Sequence, residues 1–173
     1  PTRRSSDLIQ GVLQNLLREN ISIRDLSTIL EGIIDGAKLF KEIDDITMIV
    51  REKISNQICE KSINFDGKIH ALVIAREEQI ETFLRHDGYY LKIGVLEEMN
   101  LMESIKKQVQ RAMMADLNLV LLTRRNDIRC ALARALHKHN LPISVLLQSE
   151  LVQGIMVEHF ATLDMQPVAI SNE

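Results

Sequence analysis

Two runs of apolar residues near the start of the chain recur at helical spacing and are separated by a short polar corner. The first run is Leu8, Ile9, Val12, Leu13, Leu16 and Leu17, and the second is Ile23, Leu26, Ile29, Leu30, Ile33 and Ile34. This spacing places each run on one helix face. Between them, Asn20 suits the left-handed end of a helix, and the side chains of Ser22 and Asp25 can cap the helix that follows. The sequence therefore predicts two amphipathic helices joined by a tight corner.

A third helix is predicted from about Asp44, because an isoleucine or valine recurs every four residues from there to residue 58. Asp44 and Asp45 would lie at the positive end of this helix, where carboxylates act as caps and interact favourably with the helix dipole. The turn-forming residues 64–67 come next, and the pattern then changes to that of a strand. We place a subdomain boundary at about residue 65.

Strands and helices are predicted to alternate after this boundary. Strands are predicted at residues 68–75, 89–92, 118–123, 143–147 and 155–162, and helices at residues 77–85, 97–115 and 127–139. Such alternation implies βαβ crossovers that pack helices on a sheet. We therefore predict an α+β fold, with a helical subdomain over residues 1–65 and a small α/β subdomain, of the split βαβ or ferredoxin-like kind, over residues 66–173. The tail after Leu163 is expected to fray.

Composition favours a packed globular chain over one that binds nucleic acid or membrane. Hydrophobic residues make up 46% of the sequence, the net charge is −3, and aromatic residues contribute 3%. There is no excess of positive charge to hold phosphates and little aromatic surface for stacking. No apolar run approaches the roughly 20 residues of a membrane helix, so we expect no direct membrane contact by this part of the protein. Cys59 and Cys130 are expected to be buried thiols in a reducing cytosol.

The candidate chemical sites all have simpler structural interpretations. The corner Thr123 to Asp127 could hold a phosphate, but it has no glycine, and its own polar side chains can cap the helix. His137 and His139 point in opposite directions on a helix, which disfavours a shared metal. The methionines of the 97–115 helix could form a partner-binding groove, although core packing explains them more simply. We therefore predict no enzyme activity, no metal and no cofactor.

Three stretches of the chain match known sequence patterns. The segment from Val12 to Asp25, followed by Ile29-Leu30-Glu31, resembles V-L-Q-x-L-L-x-E-x-V-S-I-R-D followed by I-L-E. Leu122-Thr123, Asp127 and Arg129 resemble L-T-S-x-D-x-R, and Pro142, Val145, Leu146 and Glu150-Leu151 resemble P-x-x-x-V-L-S-x-x-E-[IL]. Through these three stretches the chain resembles the type III secretion export-gate family of flagella and injectisomes. The chain departs from the family at Asn20-Ile21, Ile93-Gly94 and Leu147-Gln148, where other residues are usual.

The resemblance implies the C-terminal part of the cytosolic region of an inner-membrane protein. Residues 1–65 would be the end of its third cytosolic subdomain and residues 66–173 its fourth. In this family the region forms a nine-membered ring on the cytoplasmic side, which receives secretion substrates, their chaperones and the ATPase stalk protein. On this basis we expect a set of charged residues on the helix pair to contribute to contacts between copies. The set is Arg18, Glu19, Arg24, Asp25 and Glu31.

Two other functions stay open at this point. A split βαβ module that binds nucleic acid would need a basic, aromatic sheet face, to which Tyr89 and Tyr90 could contribute. A small-ligand or phosphotransfer enzyme would need a site that the sequence does not reveal. The sequence does not decide between a flagellar and a virulence system, although its loop departures favour an injectisome.

Overall fold

In residues 3–77 and 88–164, which the computed structural model describes, four helices precede the first strand. They are α1 (Arg3–Arg18), α2 (Leu26–Leu39), α3 (Ile43–Lys53) and α4 (Ser55–Ser62). The first three were predicted. The third predicted helix is in fact two, because Ile54 leaves helical geometry at φ −101° and ψ 21°. Its N–H still donates to the Val50 carbonyl at 3.1 Å, so the chain bends there without forming a loop.

The corner between α1 and α2 is as tight as predicted. Asn20 has a φ of 57°, the left-handed value expected at a helix end. The N–H of Ile21 donates back to the Leu16 carbonyl at 2.9 Å. The next helix begins later than predicted, because Asp25 is its N-cap and accepts a hydrogen bond from the Thr28 N–H at 3.2 Å. Ile23 therefore lies in the corner and not in the helix.

The second half of the described chain alternates strands with helices, as predicted. Its elements are β1 (Lys68–Ala75), α5 (Val95–Met114), β2 (Leu119–Thr123), α6 (Asn126–Lys138), β3 (Ser144–Leu147), a 3-10 turn (Gln148–Glu150) and β4 (Met156–Asp164). The four strands form one sheet in the order β3-β2-β1-β4. The α+β fold with a small α/β layer is thus confirmed. The predicted helix at 77–85 falls almost entirely outside the described residues, and the predicted strand at 89–92 is reduced to a single bridge residue, Leu91.

Strand direction differs in one respect from a ferredoxin-like sheet, whose neighbouring strands are largely antiparallel. Here β1 pairs with β2, β2 with β3 and β1 with β4, and all three pairs are parallel. For β1, β2 and β3 the physical reason is that α5 and α6 each return the chain to the starting edge of the sheet before the next strand, whereas β4 is reached through the short connection of residues 148–155. β1 and β2 are therefore direct neighbours in a simple βαβ unit, with no strand inserted between them.

The sheet is covered on both faces, which explains why β1 and β2 read as nearly continuous apolar runs. One face, with Leu72 and Leu121, packs against α5 and α6. The other face packs against helices α1 to α4 through Ile69, Val120 and Leu146. Because the helical cluster includes strand side chains, the subdomain boundary at residue 65 stays a prediction. Core packing of the α5 methionines was the simpler prediction, and the structure shows it for only some of them. Met102 is buried, whereas Met99 and Met113 are exposed.

Helices α2 and α3 approach closely because glycine stands at their crossing. A Cβ added at Gly32 would lie 2.9 Å from the Val50 Cα, which only a backbone shift could relieve. We expect Gly32→Ala to lower the free energy of unfolding by about 1–3 kcal/mol. Gly11→Ala is the matched control, because there the nearest atom, at 2.8 Å, is the end of the Ile43 side chain. Urea denaturation compares the two variants, and an equal effect of both would contradict the packing argument.

Candidate functional site

Arg51 of α3 and Glu150 of the 3-10 turn form a fully buried ion pair. The Arg51 Nε lies 2.5 Å from Glu150 Oε1, and a terminal guanidinium nitrogen lies 2.9 Å from Oε2. The same guanidinium donates to the Val145 carbonyl at 3.1 Å, and Glu150 also accepts from the Leu147 N–H at 3.1 Å. The two side chains are 2% and 0% exposed. This bidentate geometry holds α3 against the end of β3.

A second ion pair joins the end of α1 to α6. Arg129 donates to both carboxylate oxygens of Glu19, at 2.7 and 2.9 Å. It also donates to the Asn126 side-chain oxygen at 3.3 Å. Arg51 connects the two pairs, because its other terminal nitrogen lies 3.3 Å from Glu19. We call Glu19, Arg51, Arg129 and Glu150 the buried ionic network, and its two positive and two negative charges balance.

Glu19 and Arg129 stabilise each other's charged forms. Burial alone would raise the pKa of the Glu19 carboxyl, but the neighbouring Arg129 and Arg51 guanidinium groups bring it below its usual value. Burial alone would likewise lower the pKa of Arg129, and the Glu19 carboxylate raises it instead. Because the pKa of Glu19 is depressed in the folded state, its charge stabilises the fold at neutral pH. That contribution is lost as the pH falls through the folded-state value.

Asp44 and Asp45 were predicted to cap α3, but its N-cap is Glu42 and both carboxylates bind groups outside the helix. Both lie in the first turn of α3, as expected, but Asp44 accepts from Arg134 of α6 through both oxygens, each at 2.8 Å. Asp45 accepts from the Tyr89 hydroxyl at 2.6 Å and from Asn126 at 3.2 Å. Burial and the Asp45 carboxylate raise the pKa of the Tyr89 hydroxyl, which keeps it a donor. These contacts form a second polar junction between α3 and α6.

The five residues predicted to contact other copies differ in their exposure. Glu19 lies in the buried ionic network, whereas Arg18, Arg24, Asp25 and Glu31 are exposed on the helix pair. Asp25 is also the N-cap of α2. Hydrogen bonds from the Thr28 hydroxyl and N–H lower the pKa of its carboxyl. Arg18, Arg24, Asp25 and Glu31 are therefore accessible to another copy. The Glu19 carboxylate is instead bound to arginines of its own chain.

The possible phosphate corner is filled by the chain itself. Asp127 accepts from the Ile128 N–H at 2.8 Å, so its carboxylate takes the positive end of α6. Two nitrogens of Arg125 lie 3.1 and 2.5 Å from the same carboxylate. Asp127 thus lies at the positive end of α6, as predicted, but as a first-turn residue, because the N-cap is Arg125. The two cysteines are free and buried, as predicted, and burial raises the pKa of Cys130 to about 11.

Sequence reasoning did not find the buried ionic network as a unit. Glu19, Arg129 and Glu150 each belong to a different one of the three family-like stretches, and the structure brings all three together. Arg51 lies in none of these stretches. The available signal was a set of charged residues inside otherwise apolar patterns, such as Arg51 directly after Val50.

Comparison with known proteins agrees with the three stretches. The chain is 28% identical over 160 residues to the flagellar biosynthesis protein FlhA of Helicobacter pylori, covering 90% of this chain and 22% of that protein. It superposes on the Shigella flexneri MxiA structure with a TM-score of 0.74 and 27% identity, covering 90% of this chain and 50% of that one. The nonameric SctV-C of EPEC shares the fold, with a TM-score of 0.70 and 21% identity, covering 92% of this chain and 52% of that one.

The chain therefore spans less than a quarter of the length of the curated FlhA relative. The model of the FHIPEP family matches residues 1–156. These residues include all three similar stretches and every member of the buried ionic network. The chain belongs to the FHIPEP family.

Proposed function

We propose that this chain is a cytosolic part of the major export-gate protein of a bacterial type III secretion system. In this proposal the complete protein is anchored in the inner membrane, and this part forms a ring with other copies on the cytoplasmic side. The ring receives secretion substrates, their chaperones and the ATPase stalk protein. The observation that carries the proposal is the family match over residues 1–156. Within the described residues, no helix is both long and apolar enough to cross a bilayer.

The interior supports a role that depends on surfaces and not on reaction chemistry. Among the described residues, each buried side-chain nitrogen or oxygen atom has a hydrogen-bond partner. The charges of the buried ionic network pair with one another, so these groups are engaged in holding helices together. A catalytic group needs to reach a substrate, and paired, enclosed charges do not.

The two tyrosines give little support to the alternative of a nucleic-acid module. The Tyr89 hydroxyl is bound to Asp45, and the Tyr90 ring lies 4.7 Å from the Arg134 guanidinium. Both rings are thus placed beside α3 and α6, whereas a split βαβ module stacks bases on aromatic side chains of its open sheet face. In this protein both sheet faces are covered by helices.

The outer surface of the helix pair combines charge with apolar area, as a contact between copies requires. Arg18, Arg24, Asp25 and Glu31 are exposed there. Leu17, Leu26 and Ile34 on the same helices are also exposed, by 53%, 45% and 58%. A ring with an odd number of subunits needs two different surfaces in each contact, so opposite charges can pair across the rim.

Self-association is the part of the proposal that the isolated chain can test. We expect sedimentation velocity of the 173-residue chain to show complexes that grow with concentration, and Arg24→Glu to weaken this growth by charge repulsion at the rim. Lys106→Glu, an equal charge change at an exposed position of α5, serves as the control. Equal association of all three proteins, with unchanged unfolding midpoints, would contradict the placement of the contact on the helix pair.

A further inference from the structure

Glu19 differs from the other members of the buried ionic network in its access to water. Its side chain is 18% exposed, whereas those of Arg51 and Arg129 are 2% exposed and that of Glu150 is fully buried. Narrow clefts reach it from two sides. One is lined by Gln57, Lys61 and Ser144 among others, and the second by Asn15, Asp44 and Arg134 among others. Glu19 is therefore the member whose side chain can leave its ion pairs without displacing a helix from the core.

The corner that follows Glu19 contacts the rest of the protein through exposed hydrogen bonds and through two apolar side chains, the buried Ile21 and the partly buried Ile23. Lys61 of α4 donates to the Asn20 carbonyl at 2.6 Å, and Gln57 donates to the Ser22 carbonyl at 3.1 Å, both at exposed positions. Within residues 19–25, Ile21 is the one buried apolar side chain. A segment with few buried contacts and exposed hydrogen bonds opens at low free-energy cost.

The position of the corner also shapes an apolar groove on the outer face of α1. This groove has a volume of about 490 Å³ and includes Ile9, Leu13 and Leu17 of α1 in its lining. Ile23, from the corner, forms part of its wall. Any movement of the corner therefore changes the shape of this groove.

We propose that Glu19 is a releasable latch for residues 19–25, whereas the Arg51–Glu150 pair is a permanent fastener of the fold. In the latched state, Arg129 holds the end of α1 and Ile23 keeps its place in the groove wall. In the released state, residues 19–25 detach and the groove changes shape. The sheet, α3 and α6 keep their structure, because the Arg51–Glu150 pair and the cluster of the sheet with α5 and α6 stay intact, while the cluster of α1 to α4 loses only Ile21 and the partly buried Ile23. This inference does not depend on the proposed function.

Hydrogen exchange followed by mass spectrometry tests the latch on the full chain. We expect Glu19→Gln to raise exchange in residues 20–25 by about tenfold or more, because the charge-assisted bonds to Arg129 are weakened. Exchange in β1 and β2 should rise by a clearly smaller factor than in the corner, since strand amides open only on global unfolding and report only the overall loss of stability. Glu150→Gln should raise exchange in the corner and the strands alike. Glu31→Gln, at an exposed position of α2, is the control and should change neither region.

Exchange of the unsubstituted chain in low concentrations of urea gives a second test that needs no variant to fold. The Ile21 N–H, which is bound to the Leu16 carbonyl, should open locally, and its exchange should be almost independent of urea. Strand amides should depend on urea strongly. The latch is ruled out if Ile21 exchanges only with the strands, or if Glu19→Gln affects the corner and the strands equally.

Discussion

Replacing Arg51 with methionine is expected to lower the free energy of unfolding by about 3–5 kcal/mol. The substitution leaves the Glu150 carboxylate fully buried without the guanidinium that gives it two charge-assisted hydrogen bonds. It also removes the donor that satisfies the Val145 carbonyl. A buried charge without its partner costs far more than a lost surface contact. Urea denaturation followed by far-UV circular dichroism at neutral pH measures the change.

Two further variants show whether the loss of stability comes from breaking the Arg51–Glu150 ion pair or from removing any arginine. Arg4→Met, at an exposed position of α1, should change stability by less than about 0.5 kcal/mol. The double variant Arg51→Met with Glu150→Leu should recover about half of the loss or more, because no unpaired charge is left in the core. A double variant as unstable as Arg51→Met would show that the unpaired carboxylate is not the cause.

Replacing Arg129 with methionine is expected to cost less, about 2–3 kcal/mol. Glu19 loses the two hydrogen bonds from Arg129 but keeps its contact with Arg51, and its side chain has partial access to water. The same urea measurement therefore ranks Arg51→Met as the more damaging change. The opposite order would contradict the claim that the fully buried Arg51–Glu150 pair contributes more to stability than the Glu19–Arg129 pair.

The loss caused by Arg129→Met should also depend on pH in a defined direction. In the unsubstituted protein, arginines depress the pKa of Glu19, so acidification removes a stabilising contribution. In the variant, burial still acts to raise that pKa while the main opposing charge is absent. The variant therefore loses less stability on acidification, and its deficit should narrow between pH 7 and about pH 3. Urea midpoints of both proteins across this range measure the gap, and a gap that widens would contradict the electrostatic cause.

Local patterns predicted most of the helices and strands because their causes are local. β1 was predicted at residues 68–75, the range it occupies, since its side chains and the preceding turn determine it. The corner at Asn20 followed from the same kind of signal. Strand direction was harder to predict, because parallel pairing is decided by the connections between the strands and not by the strands themselves. The start of α2 was placed too early because Ser22 and Asp25 are both good capping residues, and the structure uses Asp25.

The buried ionic network was beyond sequence reasoning because its partners are distant in the chain. Arg51 and Glu150 are 99 residues apart, and Glu19 and Arg129 are 110 residues apart. No helical or strand period connects such positions. Glu19 was expected among the charges of the rim, together with Arg18 and Arg24, yet its carboxylate accepts hydrogen bonds from Arg129 and Arg51. The contact set proposed for the helix pair therefore consists of its four exposed members.

Protein export by the bacterium that carries this gene is the most direct test of the account. The measurement is the amount of type III substrates in the culture medium, with and without the codons for residues 3–164. We predict that removing them reduces export to background, while Sec-dependent secretion and the membrane level of the remaining protein are unchanged. The full-length protein with Lys106→Glu controls for the genetic change itself. Normal export without these residues would contradict the claim that this chain is a working part of an export gate.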